Sequence, residues 1–215
     1  MNTYAEIISS QLPALQLLIN LGWQYLAPAE ALALRGGKVS NVVLTGVLEP
    51  WLRANNQISY KGQRHPFSDA NIREAIERLV NEPLQSLSIT GEHLYELLTL
   101  GTSLTQTIDG DRKSYSLHYL DWQHSERNVY HVTEEFEVER QGSHSTRRPD
   151  LVLFVNGIPL VVIECKRPDL NLGGDKPVAE AVSQMIRNQN ADEIPRLFVY
   201  SQIVLALSGN DALYA

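Results

Sequence analysis

Residues 147–166 read “RRPDLVLFVNGIPLVVIECK”. Two apolar runs flank Asn156-Gly157, a pair suited to a tight turn because both residues tolerate positive φ. The pattern predicts a β-hairpin apolar enough to lie inside a largely buried sheet. At the outer ends of the two runs sit Asp150, Glu164 and Lys166. Charged side chains are rare in buried strands because losing their water is costly unless they are paired. Their position therefore needs a reason.

Register decides whether the three can meet. A two-residue turn at Asn156-Gly157 would pair Val155 with Ile158, put Asp150 on the face of Ile163, and send Glu164 to the opposite face. A shift of one residue sets Asp150 across from Glu164, with Lys166 two further along on the same face and Cys165 on the other. Pro159 has no N–H, which disfavours an unbroken ladder starting at Ile158. The expectation is the shifted register, or a bulge or strand bend with the same effect.

Downstream, “PVAEAVSQMIRNQ” (177–189) predicts a helix with Pro177 at its first position and Ala181, Met185 and Val182 facing inward. “RLFVYSQIVLAL” (196–207) reads as a further strand. Strand, helix and strand in that order predict a parallel crossover. Upstream, “KSYSLHYLDW” (113–122) and “YHVTEEFEVER” (130–140) alternate with the period of strands. The first 100 residues read mainly helical. Leu12, Leu15, Leu18 and Ile19 recur at helical spacing, with Pro13 tolerable in a first turn. Ser40 is expected to cap a helix in “SNVVLTGVLEPWLRANN”, which Pro50 should kink or end. Ile72, Ile76 and Leu79 share a face of “SDANIREAIERLV”, and “TGEHLYELLTLG” runs from a Thr90 cap to a Gly101 stop. The class is α/β: a mixed central sheet flanked by helices. The 215 residues are expected to form a single domain, with a mainly helical part over 1–110 and a sheet core over 111–215.

The composition is that of a globular protein, 43% hydrophobic and 20% charged. No apolar run approaches the ~18–20 residues needed to span a bilayer, and the N-terminus has no basic region before an apolar core, so neither membrane insertion nor a signal peptide is expected. The single cysteine, Cys165, permits no internal disulfide and fits a reducing cytoplasm. Net charge is −7. Residues 1–139 carry ten Lys+Arg against seventeen Asp+Glu, whereas 140–215 carry eight of each. Autonomous DNA-binding domains are usually basic, because phosphate neutralisation drives their affinity. If this chain acts on DNA, the DNA is expected to be delivered by something else.

Two carboxylates on one sheet face repel each other, and a divalent cation reverses that balance. Mg²⁺ favours hard oxygen ligands, commonly one or two carboxylates completed by water and substrate phosphate. Lys166 would add a compact positive charge able to orient a water or steady a phosphate. That set suits metal-assisted hydrolysis of a phosphodiester. The same residues could instead form a structural ion pair at a sheet edge. The apolar runs, which fix both carboxylates on rigid strands, favour a site.

Pro149-Asp150 followed by Glu164-Cys165-Lys166 resembles the PD-(D/E)xK nuclease motif. The wider string is similar to the nuclease domain at the N-terminus of the restriction (R) subunit of type I restriction-modification enzymes. “LGWQYL”, “NVVLTGVLEPWLRANN” and “RLFVYSQIVLALS” match more weakly but in the same order, so the resemblance covers nearly the whole chain. It implies a restriction-endonuclease-like core that cleaves double-stranded DNA with Mg²⁺. Asp150 and Glu164 would hold the metal, with the Cys165 backbone carbonyl as a further ligand and Lys166 as the catalytic lysine. It also implies a glutamine-x-x-x-tyrosine motif on the following helix, with Gln184 as a DNA or phosphate contact. Gln184 fits, but Asn188 stands where the tyrosine belongs, and an amide neither stacks nor reaches as a phenol does. An acidic residue on the first helix sometimes completes such sites, and Glu6 is the candidate.

The resemblance further implies an ATP-driven motor in the longer subunit, methyltransferase and specificity subunits as partners, and a bacterial or archaeal cytoplasm. “RGGKVS” (35–40) lacks phosphate-loop spacing and reads as a polar turn, so ATP is not expected on this chain. With Ala215 shortly after a strand, the chain is expected to be a fragment. Another repair or restriction nuclease of the same superfamily remains a competing reading, as does an inactive DNA-binding or assembly module. Arg147 and Arg148 are candidate phosphate contacts or a solvated loop. His144 fits a solvated loop, and Trp23, Trp51 and Trp122 read as core anchors.

Overall fold

The computed structural model describes residues 7–168, 177–209 and 211–215. A π-helical turn, Ile7–Gln11, leads into α1, Leu12–Asn20, with Pro13 in its first turn. There follow β1 (Gln24–Tyr25), α2 (Pro28–Leu34) and α3 (Thr45–Asn55). Next come the hairpin β2–β3 (Gln57–Tyr60, Gln63–Pro66), then α4 (Asp69–Val80) and α5 (Leu87–Leu100). The hairpin β4–β5 (Thr102–Ile108, Asp111–Leu117) precedes β6 (Tyr130–Glu134) and the short pair β7 (Val138–Glu139) and β8 (Thr146–Arg147). β9 (Leu151–Val155) and β10 (Ile158–Cys165) form the apolar hairpin. α6 (Pro177–Asn188), the short α7 (Pro195–Phe198), β11 (Ile203–Ser208) and β12 (Asp211–Tyr214) complete the chain.

The central sheet has six strands in the order β1-β6-β9-β10-β11-β12. β1 runs parallel to β6 and β10 parallel to β11; the other neighbours are antiparallel, so the sheet is mixed. The parallel β10–β11 pair, with α6 between them in sequence, is the expected crossover. Alternation divides the hairpin between two cores. Val152, Phe154, Ile158 and Val162 join the large core under α3, α4 and α5. Leu151, Leu153, Ile163 and Cys165 face a smaller core capped by Leu15 of α1. Val178, Ala181 and Met185 of α6 pack on Ala206 of β11.

Several expectations are corrected. α3 begins at Thr45 rather than beside Ser40, and Pro50 lies inside it, where Leu48, Trp51 and Leu52 bury the helix on both sides of the missing N–H. Ser86, not Thr90, caps α5 by accepting the Ile89 N–H. Thr90 is fully buried and ties down the preceding loop, donating to the Pro83 carbonyl. The first part of “RLFVYSQIVLAL” is the helix α7, started by Pro195, and the strand begins only at Ile203. Trp122 is 62% exposed, with its indole N–H donating to the Leu98 carbonyl, so it is not a core anchor. Among the described residues no helix is long and apolar enough to cross a membrane.

Candidate functional site

The hairpin reaches its register in two steps. Asn156 (φ 53°) and Gly157 (φ 83°) form the two-residue turn, and Val155 pairs with Ile158 and Phe154 with Pro159. The ladder then shifts between Pro159 and Val161, so that Leu153 faces Val161, Val152 faces Val162 and Leu151 faces Ile163. Leu160 is the extra residue, and its carbonyl accepts the Gln202 N–H at 2.8 Å instead. The slip falls where Pro159 offers no donor. The tight turn and the shifted register thus coexist. Continued by one residue, the register places Asp150 opposite Glu164.

Side-chain contacts agree. Asp150 Oδ2 accepts the Cys165 N–H at 2.6 Å, binding the end of β10 to the start of β9. Lys166 Nζ is 3.8 Å from Glu164 Oε1. Gln184, one helical turn before the end of α6, donates its amide to the same Glu164 oxygen. All three charged residues are buried: Asp150 is 8% exposed, Glu164 1% and Lys166 7%. With both carboxyls ionised, the trio carries a net negative charge out of water, which favours a bound cation.

The donor set fits a hard divalent ion. Two carboxylates and the Cys165 carbonyl lie along one strand end; among the described residues no group of three or more His, Cys, Asp or Glu side chains is arranged to hold a metal, so a metal here would rest on two carboxylates and a backbone carbonyl. A metal here would take its remaining ligands from water and phosphate oxygen, as Mg²⁺ does.

The backbone of the site is held from a third direction, one the sequence did not reveal. In the π-helical turn, Ser10 Oγ donates to the Lys166 carbonyl at 2.7 Å and Gln11 Nε2 to the Asp150 carbonyl at 3.4 Å. Both side chains are buried. Glu6 lies outside the described residues. The Lys166 N–H donates to the Leu207 carbonyl of β11, and the Glu135 N–H to the Asp150 carbonyl.

The remaining candidates are placed as follows. Arg147 grips the carboxylate of Glu193, donating from Nη2 to Oε1 at 2.8 Å. Arg148 is exposed, 3.7 Å from Glu135 Oε2 through Nε. Asn188 is 2% exposed, and among the described residues its Oδ1 has no hydrogen-bond partner. It therefore sits inside the protein and not on the exposed side of α6. His144 is fully exposed beside Glu139.

The chain matches proteins whose names agree with this geometry. It is 27% identical over 197 residues to the type I restriction enzyme HindI endonuclease subunit of Haemophilus influenzae, a match covering 91% of this chain and 18% of that subunit. It is 24% identical over 202 residues to the type I restriction enzyme EcoprrI endonuclease subunit of Escherichia coli, covering 93% of this chain and 55% of that protein. The chain thus spans less than a fifth of the HindI subunit's length. The model of the type I restriction enzyme R protein N terminus matches residues 4–215, and the chain belongs to that family.

Proposed function

We propose that this chain is the Mg²⁺-dependent endonuclease module of a type I restriction enzyme R subunit, built on a PD-(D/E)xK core and cutting double-stranded DNA. The observation that carries the reading is the bulge after Pro159, which brings Asp150 and Glu164 to one face beside Lys166. Asp150, Glu164 and the Cys165 carbonyl would hold the metal. When bound, Mg²⁺ lowers the pKa of a water and neutralises charge on the scissile phosphate. Gln184 orients the Glu164 carboxylate, and Cys165 N–H orients that of Asp150. Lys166 supplies a positive charge where negative charge develops on phosphate, and three donors to position the attacking water. Arg148, exposed just before the hairpin, would meet the DNA backbone, whereas Arg147 would support the site through Glu193.

ATP-driven translocation, and partnership with methyltransferase and specificity subunits in the cytoplasm, would belong to the complete complex. The test is Asp150→Asn and Lys166→Ala in that complex. Each should lower DNA cleavage by roughly 10²–10⁴-fold while translocation continues, as expected for losing a charge that acts on the reacting groups. Cleavage at the wild-type rate in either variant would overturn the proposal.

A further inference from the structure

The segment that leads into Asp150 and the helix that contacts Glu164 are joined a second time, away from the carboxylates. Glu193 lies in the loop between α6 and α7 and is 6% exposed. Two guanidinium groups converge on it. Arg147 Nε is 2.7 Å and Arg140 Nε 3.0 Å from Oε2, distances for ion pairing, and Arg147 also donates to Oε1. Arg140 additionally reaches Asp192, through Nη2 to Oδ2 at 3.1 Å. The Glu193 carbonyl accepts the Gln141 N–H at 2.8 Å. Buried charge of this kind is costly unless it is fully paired, and removing one partner leaves the others stranded.

The two sides of this clamp lead to the candidate site. Arg147 ends β8 and stands three residues before Asp150. Glu193 follows α6, and the chain between is pinned back onto the helix end: Glu193 N–H donates to Asn190 O, and Ile194 N–H to Asn188 O, each at 3.0 Å. Gln184 is one turn upstream of Asn188 on that helix. Shifting Glu193 would therefore move the amide that holds Glu164 relative to the segment that carries Asp150.

We propose that Glu193 is a positioning residue: by clamping Arg140 and Arg147 it sets the end of α6 against the segment leading into Asp150, fixing the Gln184–Glu164 contact and through it the spacing of the two metal-binding carboxylates. This rests on the metal-site reading above. It also gives Arg147 its task, that of a brace and not a phosphate contact.

The test is Mn²⁺ binding to this chain, followed by electron paramagnetic resonance without DNA. Asp150→Ala comes first: if it leaves wild-type Mn²⁺ affinity unchanged, the metal-site reading itself fails, independently of Glu193. With that arm passed, Glu193→Gln should weaken Mn²⁺ about 10-fold, the scale of lost outer support for a metal ligand. Glu193→Asp, which keeps the charge, should fall between. The deciding measurement repeats the substitution in a Gln184→Ala background, where Glu193→Gln should change the affinity less than ~2-fold, because the contact it positions is gone. Unchanged affinity in Glu193→Gln, or equal fold-losses in both backgrounds, would overturn the proposal; the second result would mark a general loss of structure. If Glu193→Gln does not fold, the same cycle is read with Glu193→Asp.

Discussion

His131 is a buried titratable group with no part in the candidate site. It sits on β6 across from Phe154 and is 8% exposed. Among the described residues its Nδ1 has no hydrogen-bond partner. Burial lowers its pKa below the usual histidine value, because the imidazolium would lose its water without gaining a partner. The sign of the consequence follows from proton counting. Below the ordinary histidine pKa the unfolded chain takes up a proton that the folded chain refuses, so stability falls as pH drops. It is fully present above that value and declines towards the depressed folded pKa. Urea midpoints measured from pH 7.5 down to pH 5 should fall, and His131→Leu should flatten the decline. A His131→Leu protein with the same pH slope as wild type would assign the effect to other groups.

Among the elements, the β9–β10 hairpin depends most on one position. Gly157 has φ 83°, and a Cβ there would lie 2.4 Å from the Leu44 carbonyl oxygen and 3.2 Å from the Leu48 nitrogen, because the turn packs against the start of α3. The Leu44 N–H donates to the Gly157 carbonyl at 2.8 Å, closing the approach. Gly157→Ala combines left-handed strain with a backbone clash and should cost roughly 2–5 kcal/mol, read as a lowered urea midpoint. A loss under ~1 kcal/mol would mean that the turn and α3 separate easily. The same hairpin shows what a linear sequence can disclose. Asp150, Glu164 and Lys166 were legible as candidates because the thirteen residues between Asp150 and Glu164, two apolar runs with one turn and one proline, fix their mutual register. α4 was legible from Ile72, Ile76 and Leu79 on one face, and α6 from Pro177 at its first position. The β2–β3 hairpin was not, because strands of four residues carry too little periodicity to stand out between helices, although Lys61-Gly62 makes the same positive-φ turn as Asn156-Gly157. Nor was the start of α7, where an apolar run suits either a buried helix or a strand. Glu193 escaped because its partners lie 46 and 53 residues away, and no local pattern announces a buried ion pair at that separation.

At the scale of the whole molecule, charge sets a limit on what the chain does by itself. Its formal charge is −7, and all of the excess lies in residues 1–139, the part that supplies α1 to α5 and most of the large core. Within the balanced remainder, Arg140 and Arg147 are bound to Glu193, and Arg196 donates to the Glu82 carbonyl. Duplex DNA attracts proteins chiefly through cations that displace its condensed counterions. A nuclease module with this distribution would repel duplex DNA at long range over much of its surface, and would engage it only when other parts of a larger assembly hold the strand in place. Under the proposed function such dependence would be useful, since the module would have little affinity of its own to spend on unselected DNA. The isolated chain should therefore bind a labelled 30-mer duplex, in the presence of Ca²⁺, with a Kd of roughly 10⁻⁴ M or weaker at about 0.15 M salt, as measured by fluorescence anisotropy. The dependence of log K on log salt should be shallow, with a slope of about −1 to −3, because few phosphates are contacted. Adding net positive charge on α4, for instance Glu74→Lys with Glu77→Lys, should tighten binding and steepen the slope. Submicromolar binding by the unaltered chain would show that it carries its own DNA-holding surface, and that delivery by other domains is unnecessary.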